Sequence, residues 1–304
     1  MDSASSITIV IVAYQSGAML ERHLPALRQL NDEFDAAIVV VDNASCDDTV
    51  EFLEESAPWI DVIGNDSNVG FARACNQAAR LTHSEYILFL NPDAILSPAD
   101  LRLLLREMAA NDRAAIAAPA LITPSGRIYP SAHADPNPAN YWLTHSFLSP
   151  LWRQCRSWLP PQNLATRCAD WVMGACLLVR RSAFEQVGGF PEAYFLYSED
   201  AELCLNLRRA GWKILYVPQA RCLHEHGGSS RQSSARTRIE LFRSMRLYGE
   251  RCRNDVWLRA MGRCIRLDMS VRLFVAQLVQ SVWPKFDPAA ERRKSFRAIA
   301  ESWK

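Results

Sequence analysis

No run of 18 apolar residues occurs in the chain, so no segment reads as a membrane-spanning helix. The opening Met-Asp-Ser-Ala-Ser-Ser has neither a basic n-region nor an apolar h-region, and does not read as a secretory signal. Glycine is scarce, 12 residues in 304, and the first strand-to-helix turn has Gly17 alone where G-x-G-x-x-G would bind a dinucleotide. A P-loop is also missing. The nine cysteines are odd in number and form no C-x-x-C pair, which fits reduced thiols of a cytosolic protein rather than disulfides or a zinc site. No G-x-S-x-G elbow is present, so serine-hydrolase chemistry of that kind is disfavoured. Neither an internal repeat nor a low-complexity tract is found.

What is present is a chain that is 49% hydrophobic and 22% charged, enough to bury a large core. The formal charge of +1 hides a strong asymmetry. Residues 235–304 hold 16 Lys/Arg against 7 Asp/Glu, while residues 1–234 hold 18 against 26. An acidic body thus carries a basic tail. Domains are expected at 6–233 and 234–304.

Ile7 to Val12 and Ala37 to Val41 read as strands buried on both faces. Leu20, Leu24, Leu27 and Leu30 give a helix between them. Asp47 and Asp48 open a short helix through Leu53, and a third strand covers roughly Trp59 to Ile63. Asn68 is placed to cap a helix over Val69 to Leu81. Tyr86 to Leu90 is a further strand, ended by Pro92, which has no N–H for a ladder. This alternation predicts an α/β fold with a doubly wound, mostly parallel sheet. A helix follows from Pro98 to Asn111, and then an apolar run near Ala114 to Ala118. Residues 124–161 carry seven prolines among Tyr129, Tyr141, Trp142, Phe147, Trp152 and Trp158, and read as a lid or binding loop, or as a loop packed on its own rings. Asp170 to Val179 reads as one strand, Arg180 to Val187 as a short helix, and Ile214 to Val217 as a last strand.

Asp93 falls at the carboxyl edge of the sheet, where open α/β folds bind ligands, and a carboxylate there suits a hard divalent cation that also grips phosphate. Plain turn chemistry in Asn91-Pro92-Asp93 is the alternative. Asp200, in the first turn of a helix, is expected to be kept ionised by that turn's backbone donors. The pair Glu199-Asp200 reads equally as surface charge complementing a helix dipole. His224-Glu225-His226 lacks the four-residue spacing of a helical zinc protease. On an extended segment His224 and His226 share a side, as ligands or as surface residues.

In combination these segments resemble family 2 inverting glycosyltransferases of the GT-A fold, in their rhamnosyltransferase-like branch. The matching stretches are Val12 to Ser16, Val41 to Thr49, Asn68 to Ala72 with Asn76, and Leu90 to Ala94. Further matches are Asp170-Trp171 with Gly174-Ala175, Arg180-Arg181, Gly188 to Phe190, Phe195 to Asp200, and His224 with Gly227 and Ser229. The resemblance implies that Tyr14 and Asp42 hold a pyrimidine base, by stacking and by accepting its ring N–H. It places Ala13, Asn43, Asn68, Gly70, Asn76 and Asn91 around the donor nucleotide and lets Arg73 reach a phosphate. Asp93 stands at the last acidic position of the family's D-x-D metal motif, with His224 as an added ligand of Mn2+ or Mg2+. Asp200 is implied as catalytic base, with Trp171, Gly174, Tyr197 and Glu199 in the acceptor-side loops. Asn91 replaces the first Asp of D-x-D, which leaves the metal one carboxylate fewer.

The expected reaction moves a sugar, first L-rhamnose from dTDP-L-rhamnose, onto a hydroxyl of a glycan or polyprenyl-linked acceptor in cell-surface polysaccharide synthesis. UDP-sugars are further donors, and no nucleic acid is expected as a partner. A sugar-nucleotide pyrophosphorylase would need a Gly-rich basic loop after the first strand, which is absent. A non-catalytic nucleotide-sugar-binding module would have no use for Asp200. In the tail, Val271, Phe274, Val275, Leu278 and Val282 recur at helical spacing, as do Phe296, Ile299, Ala300 and Trp303 beside Arg292, Arg293, Lys294 and Arg297. Such basic amphipathic helices suit an anionic membrane surface through residues 265–304, or packing on the body or on a second subunit of a homodimer. The expected location is cytoplasmic, peripheral on the inner face of the membrane.

Overall fold

The computed structural model describes residues 7–144, 146–149, 165–225, 234–282 and 290–303. Trp152, Trp158, His226, Gly227 and Ser229, together with the side chains of Val282 and Arg292, lie outside the described residues. The chain divides into two units: Met1–His133, Leu164–Phe195 and Glu199–Arg231 form the first, and Ala134–Asn163, Leu196–Ser198 and Gln232–Lys304 the second. The helical tail thus shares its unit with most of the proline-rich segment.

The first unit is built on β1 (Ile7–Ala13), α1 (Gly17–Phe34), β2 (Ala37–Asp42), α2 (Thr49–Ser56), β3 (Asp61–Gly64), α3 (Phe71–Arg80) and β4 (Tyr86–Leu90). There follow β5 (Ala94–Leu96), α4 (Pro98–Ala109), β6 (Ala114–Ile122) and β7 (Ala132–His133). After α5 (Pro138–Thr144) of the second unit come β8 (Arg167–Cys168), β9 (Trp171–Val172), β10 (Cys176–Arg180), α6 (Arg181–Gln186), α7 (Glu199–Arg209) and β11 (Lys213–His224). The main sheet runs β3-β2-β1-β4-β10-β6-β11-β5, with β8 beside β11. Strands β3, β2, β1 and β4 are parallel, β10 is antiparallel to both its neighbours, and β11 returns parallel to β6. The order reverses between β1 and β4, so the carboxyl ends of those two strands flank the crevice where such sheets take ligands.

Side-chain alternation decides the packing. Ile7, Ile9, Ile11, Leu88 and Leu90 face one side, under Leu20, Leu27 and Leu30 of α1, Leu53 of α2, and Leu101 and Leu104 of α4. Val10, Val39, Val41, Ile87 and Phe89 face the other, under Ala72, Cys75 and Ala78 of α3, Phe184 of α6, and Leu203 and Leu207 of α7. Both faces are covered, which explains the continuous apolar runs in the sequence.

Three expectations are corrected. The segment Asp170 to Val179 is two strands: β9 pairs with β7 in a separate small sheet, and β10 inserts between β4 and β6. The break falls where Gly174 N–H turns away to a carboxylate of α7. The last strand runs on to His224, with a register shift at Val217–Arg221, where Pro218 can offer no N–H. Asn68 does not cap α3; its Oδ1 accepts from Gly70 N–H at 3.0 Å, and the helix begins at Phe71. Both Asp47 and Asp48 stand at the start of α2 as expected: Asp48 is its N-cap, and Asp47 accepts from Thr49 N–H and from Gly17 N–H at 3.3 Å each.

The second unit contains α8 (Ser234–Cys252), α9 (Asp255–Val282) and α10 (Ala290–Ser302). Its core holds Tyr141, Phe242, Met245, Met261, Ile265, Met269, Phe296, Ile299 and Trp303. The apolar side of α10 is therefore spent on this core, which corrects its reading as a membrane face. In α9, by contrast, Phe274 is 60% exposed and Val275 and Leu278 about half exposed. Asp268 is fully buried and accepts from Tyr141 O–H and Phe147 N–H at 2.7 Å each while pairing with Arg272 at 3.0 Å. The eight described cysteines are free thiols.

Candidate active site

The site is assembled at the carboxyl ends of β1, β2 and β4. Ala13, the last residue of β1, lies beside Asp42, the last of β2, and accepts from Asn43 N–H at 2.8 Å. Asp42 is buried; its Oδ2 takes Ser45 N–H at 2.9 Å, but its Oδ1 is buried with no hydrogen-bond partner. Such an acceptor is costly until a donor N–H reaches it. Tyr14 next to it is 41% exposed, so a ring face is available for stacking. Gln15 and Ala44 both adopt left-handed φ, 53° and 62°, and Gln15 N–H bonds Ser45 Oγ at 2.8 Å. Two strained turns are thus locked together at this edge.

Asn43 is buried, donates to Gly70 O at 3.3 Å and accepts from Asn65 at 2.9 Å. Gly70 has φ 88°, and a Cβ there would lie 2.7 Å from Phe195 O. Glycine at 70 is required by that close approach. Asn76 spends all its polar groups on the chain: it accepts from Phe190 N–H at 2.9 Å and donates to Phe190 O at 2.8 Å and Glu192 at 2.9 Å. It clamps α3 to the turn before α7 rather than presenting a group to a nucleotide, which corrects the sequence expectation. Arg73 is largely exposed, 3.7 Å from Glu192, which also pairs with Arg80 at 2.7 Å. Arg180 and Arg181 lie at the opposite edge of the sheet, tying Ala114, Met108, Ser84 and Ala79 carbonyls together.

At the end of β4, Asn91 N–H bonds Ala175 O at 2.9 Å and Asn91 O accepts from Ala94 N–H at 3.0 Å. The turn presents Asp93, buried, with Oδ1 3.2 Å from His224 Nε2. Pairing β5 with β11 antiparallel sets Ala94 opposite His224 and so brings two distant residues together. Asn91 Nδ2 is 3.5 Å from the same imidazole nitrogen. Tyr129 O–H holds His224 Nδ1, and a hydroxyl can do so as donor or acceptor whichever nitrogen carries the hydrogen. Burial pushes the Tyr129 phenol up, so it stays protonated. One carboxylate and one imidazole, the latter oriented from behind, suit a divalent cation whose other ligands come from a diphosphate and water. Among the described residues no group of three or more His, Cys, Asp or Glu forms a metal cluster.

Asp200 opens α7. Its Oδ2 accepts from Gly174 N–H at 3.0 Å and its Oδ1 from Ala201 N–H at 2.8 Å. The backbone donors favour its charged form, as the helix start implies, but desolvation outweighs them and pushes its pKa up to about 6. Glu199 is buried with Oε2 unpartnered, and burial plus the neighbouring Asp200 charge raise its pKa well above the carboxylate range. Burial thus disfavours the charged form of Glu199 beside Asp200. The two acidic stations are linked through the chain: Gly174 holds Asp200, and the next residue, Ala175, holds Asn91. Trp171 stacks on His133 with ring centroids 4.4 Å apart. Tyr197 belongs to the second unit and has φ 71°.

Sequence reasoning missed Tyr129, His23 and Glu192. Nothing in the local pattern of Tyr129 points to a histidine 95 positions later. His23 carries a signal, a polar residue on the apolar stripe of α1.

Comparison with known proteins gives the family and the fold. The glycosyl transferase family 2 model matches residues 8–188. The chain is 34% identical over 249 residues to the N-acetylglucosaminyl-diphospho-decaprenol L-rhamnosyltransferase of Mycobacterium tuberculosis, covering 75% of this chain and 79% of that protein. It is 30% identical over 162 residues to rhamnosyltransferase WbbL of Escherichia coli, covering 53% and 60%. Among solved structures, a mannosyltransferase from Pyrobaculum calidifontis in complex with GDP-Man and Mn2+ superposes with TM-score 0.58 at 14% identity, covering 97% of this chain and 86% of that one. At that identity the likeness speaks to fold, and the fold agrees. The chain belongs to glycosyl transferase family 2 and is a glycosyltransferase that uses a nucleotide sugar.

Proposed function

We propose that this glycosyltransferase is an inverting rhamnosyltransferase that takes L-rhamnose from dTDP-L-rhamnose to a hydroxyl of a polyprenyl-diphosphate-linked glycan. The observation that carries the chemistry is Asp200, raised in pKa to about 6 and tied through Gly174 and Ala175 to the turn that bears Asp93. The printed activities of the rhamnosyltransferase relatives support the donor and the lipid-linked acceptor.

Asp42 Oδ1 accepts the thymine N3–H, satisfying the orphaned atom, and Tyr14 stacks on the ring. Asn43, Asn68 and Gly70 shape the wall beside the ribose, and Arg73 swings to the diphosphate. Asp93 and His224 hold Mn2+ or Mg2+, which when bound neutralises charge on the leaving diphosphate. Asp200 takes the proton of the acceptor hydroxyl as that oxygen attacks the anomeric carbon. Trp171 and Gly174 border the acceptor, and Glu199, whose charged form burial disfavours, stands next to Asp200. A pKa near the working pH suits a base that must be ionised before the step and protonated after it.

Val256, Leu267, Phe274 and Leu278 lie on one side of α9 with exposed Arg259 and Arg263, a composition that supports docking at an anionic membrane face where such an acceptor resides. No described helix is long and apolar enough to cross a membrane. Because Ile265 and Met269 belong to the core of the second unit, point changes test this better than truncation. Phe274→Asp with Leu278→Asp is expected to reduce sedimentation with phosphatidylglycerol vesicles, and unchanged sedimentation contradicts it. The activity itself is tested by supplying dTDP-L-rhamnose and N-acetylglucosaminyl-diphospho-decaprenol with Mn2+. Transfer of rhamnose is expected, and turnover only with another nucleotide sugar contradicts the donor assignment.

A further inference from the structure

We propose that His23 is a positioning residue that fixes Asp93 for its cation by holding the carbonyl of Pro92. This rests on the reading of Asp93 as a metal ligand. His23 lies on α1 at a position of the helical stripe formed by Leu20, Leu27 and Leu30, where an apolar residue would serve packing alone. It is 3% exposed, and its Nδ1 is 2.8 Å from Pro92 O. A carbonyl only accepts, so Nδ1 carries the hydrogen and donates it. Nε2 has no hydrogen-bond partner, and Glu225 Oε1 is 4.0 Å from it. The polar side of this imidazole is therefore committed to one bond, aimed at the turn between Asn91 and Asp93.

Pro92 has no N–H, so its carbonyl is the one backbone group by which it can be held. Because a peptide unit is planar, holding Pro92 O fixes the plane that enters Asp93. The plane that leaves Asp93 is fixed from the other side, where Glu225 N–H donates to Asp93 O at 3.0 Å. Glu225 is anchored by Arg22, one residue before His23, at 3.1 Å. Adjacent residues of α1 thus secure both peptides that flank the Asp93 Cα, one directly and one through Glu225.

The need for this follows from position 91. With asparagine there, a single carboxylate supplies the charge, so an error in its placement is not shared with a second. Groups that orient metal ligands from behind commonly change metal affinity by about 10–100-fold when lost. His23 is such a group acting through the backbone.

The test measures Mn2+ binding by electron paramagnetic resonance to the full-length protein with saturating dTDP, without turnover. Three variants are compared with the wild type after circular dichroism shows that each is folded. His23→Leu removes the donor but keeps the bulk, and is expected to weaken Mn2+ binding by about 10–100-fold. His23→Asn places an amide N–H where Nδ1–H stood, and is expected to return binding close to wild type. Asp93→Ala is the control for the metal reading and is expected to bind least. Wild-type binding by His23→Leu while Asp93→Ala fails overturns the role of His23 alone. Equal weakening in His23→Leu and His23→Asn overturns it too, since packing would then account for the loss. Wild-type binding by Asp93→Ala overturns the metal reading and the inference with it.

Discussion

Asp93, in the turn after β4, and Asp200, in the first turn of α7, are joined by two hydrogen bonds through Gly174 and Ala175, yet they are held in different ways. Around Asp93 the backbone is held, by His23 and Glu225, and the carboxylate lies 3.2 Å from His224. Around Asp200 the side chain itself is held by Gly174 and Ala201 N–H groups and is desolvated. A ligand for a cation must keep its charge and its place, so rigidity of the main chain serves it. A general base must accept a proton near neutral pH, so burial that raises its pKa serves it. On the proposed roles, two aspartates of one edge are held by different means, one at its backbone and one at its side chain.

The comparison is broken most severely at Asp93. Asp93→Ala is expected to lower metal-dependent dTDP affinity at least a hundredfold in calorimetry, on the order of losing a ligand of a charged centre. Full affinity that ignores a chelator would dissolve the distinction. Asp42→Asn keeps the bond from Ser45 but sets an N–H against the N–H of the base. It should weaken donor binding by about 10–100-fold, the value of a hydrogen bond to a charged group, without moving the pH profile.

The profile itself sharpens the other side. Turnover should fall about tenfold per pH unit below about 6, where Asp200 becomes protonated. A profile flat to pH 5 would reject Asp200 as the titrating base. The smallest effect concerns stability. Asp200 has a folded pKa raised from 3.8 to about 6, so the folded state binds its proton more tightly than the unfolded one. Its contribution is full below the unfolded value and is lost as pH rises through about 6. Asp200→Asn forfeits one acceptor for Gly174 or Ala201 N–H at every pH but removes this pH dependence, so the wild type should lose on the order of 1–3 kcal/mol relative to the variant between pH 4 and pH 7 in urea titrations.

Much of the sheet was legible because its strands are buried on both faces. Ile7 to Val12, Ala37 to Val41 and Tyr86 to Leu90 are almost wholly apolar, with Thr8 satisfied by Ser84, and such runs show in one sequence. Asp93 and Asp200 were visible from their places after a strand and before a helix. What stayed hidden depends on pairing between distant segments. The insertion of β10 antiparallel between β4 and β6 leaves no local mark, and neither does the hydroxyl of Tyr129 behind His224. Asn76 looked like a pocket residue because its burial partner, the Phe190 backbone, lies 114 positions away. The stripe on α10 read as a membrane face because an amphipathic helix does not say what it is amphipathic toward; Phe296, Ile299 and Trp303 meet Met261 and Ile265 instead.

The division of labour between the two aspartates is tested most directly by Asp200→Asn, with donor binding and turnover measured on the same preparation. Mn2+-dependent dTDP affinity should stay at the wild-type value while turnover falls by about 10²–10⁴, the usual cost of removing a general base. Wild-type turnover, or a loss of donor affinity as large as the loss of turnover, would contradict it.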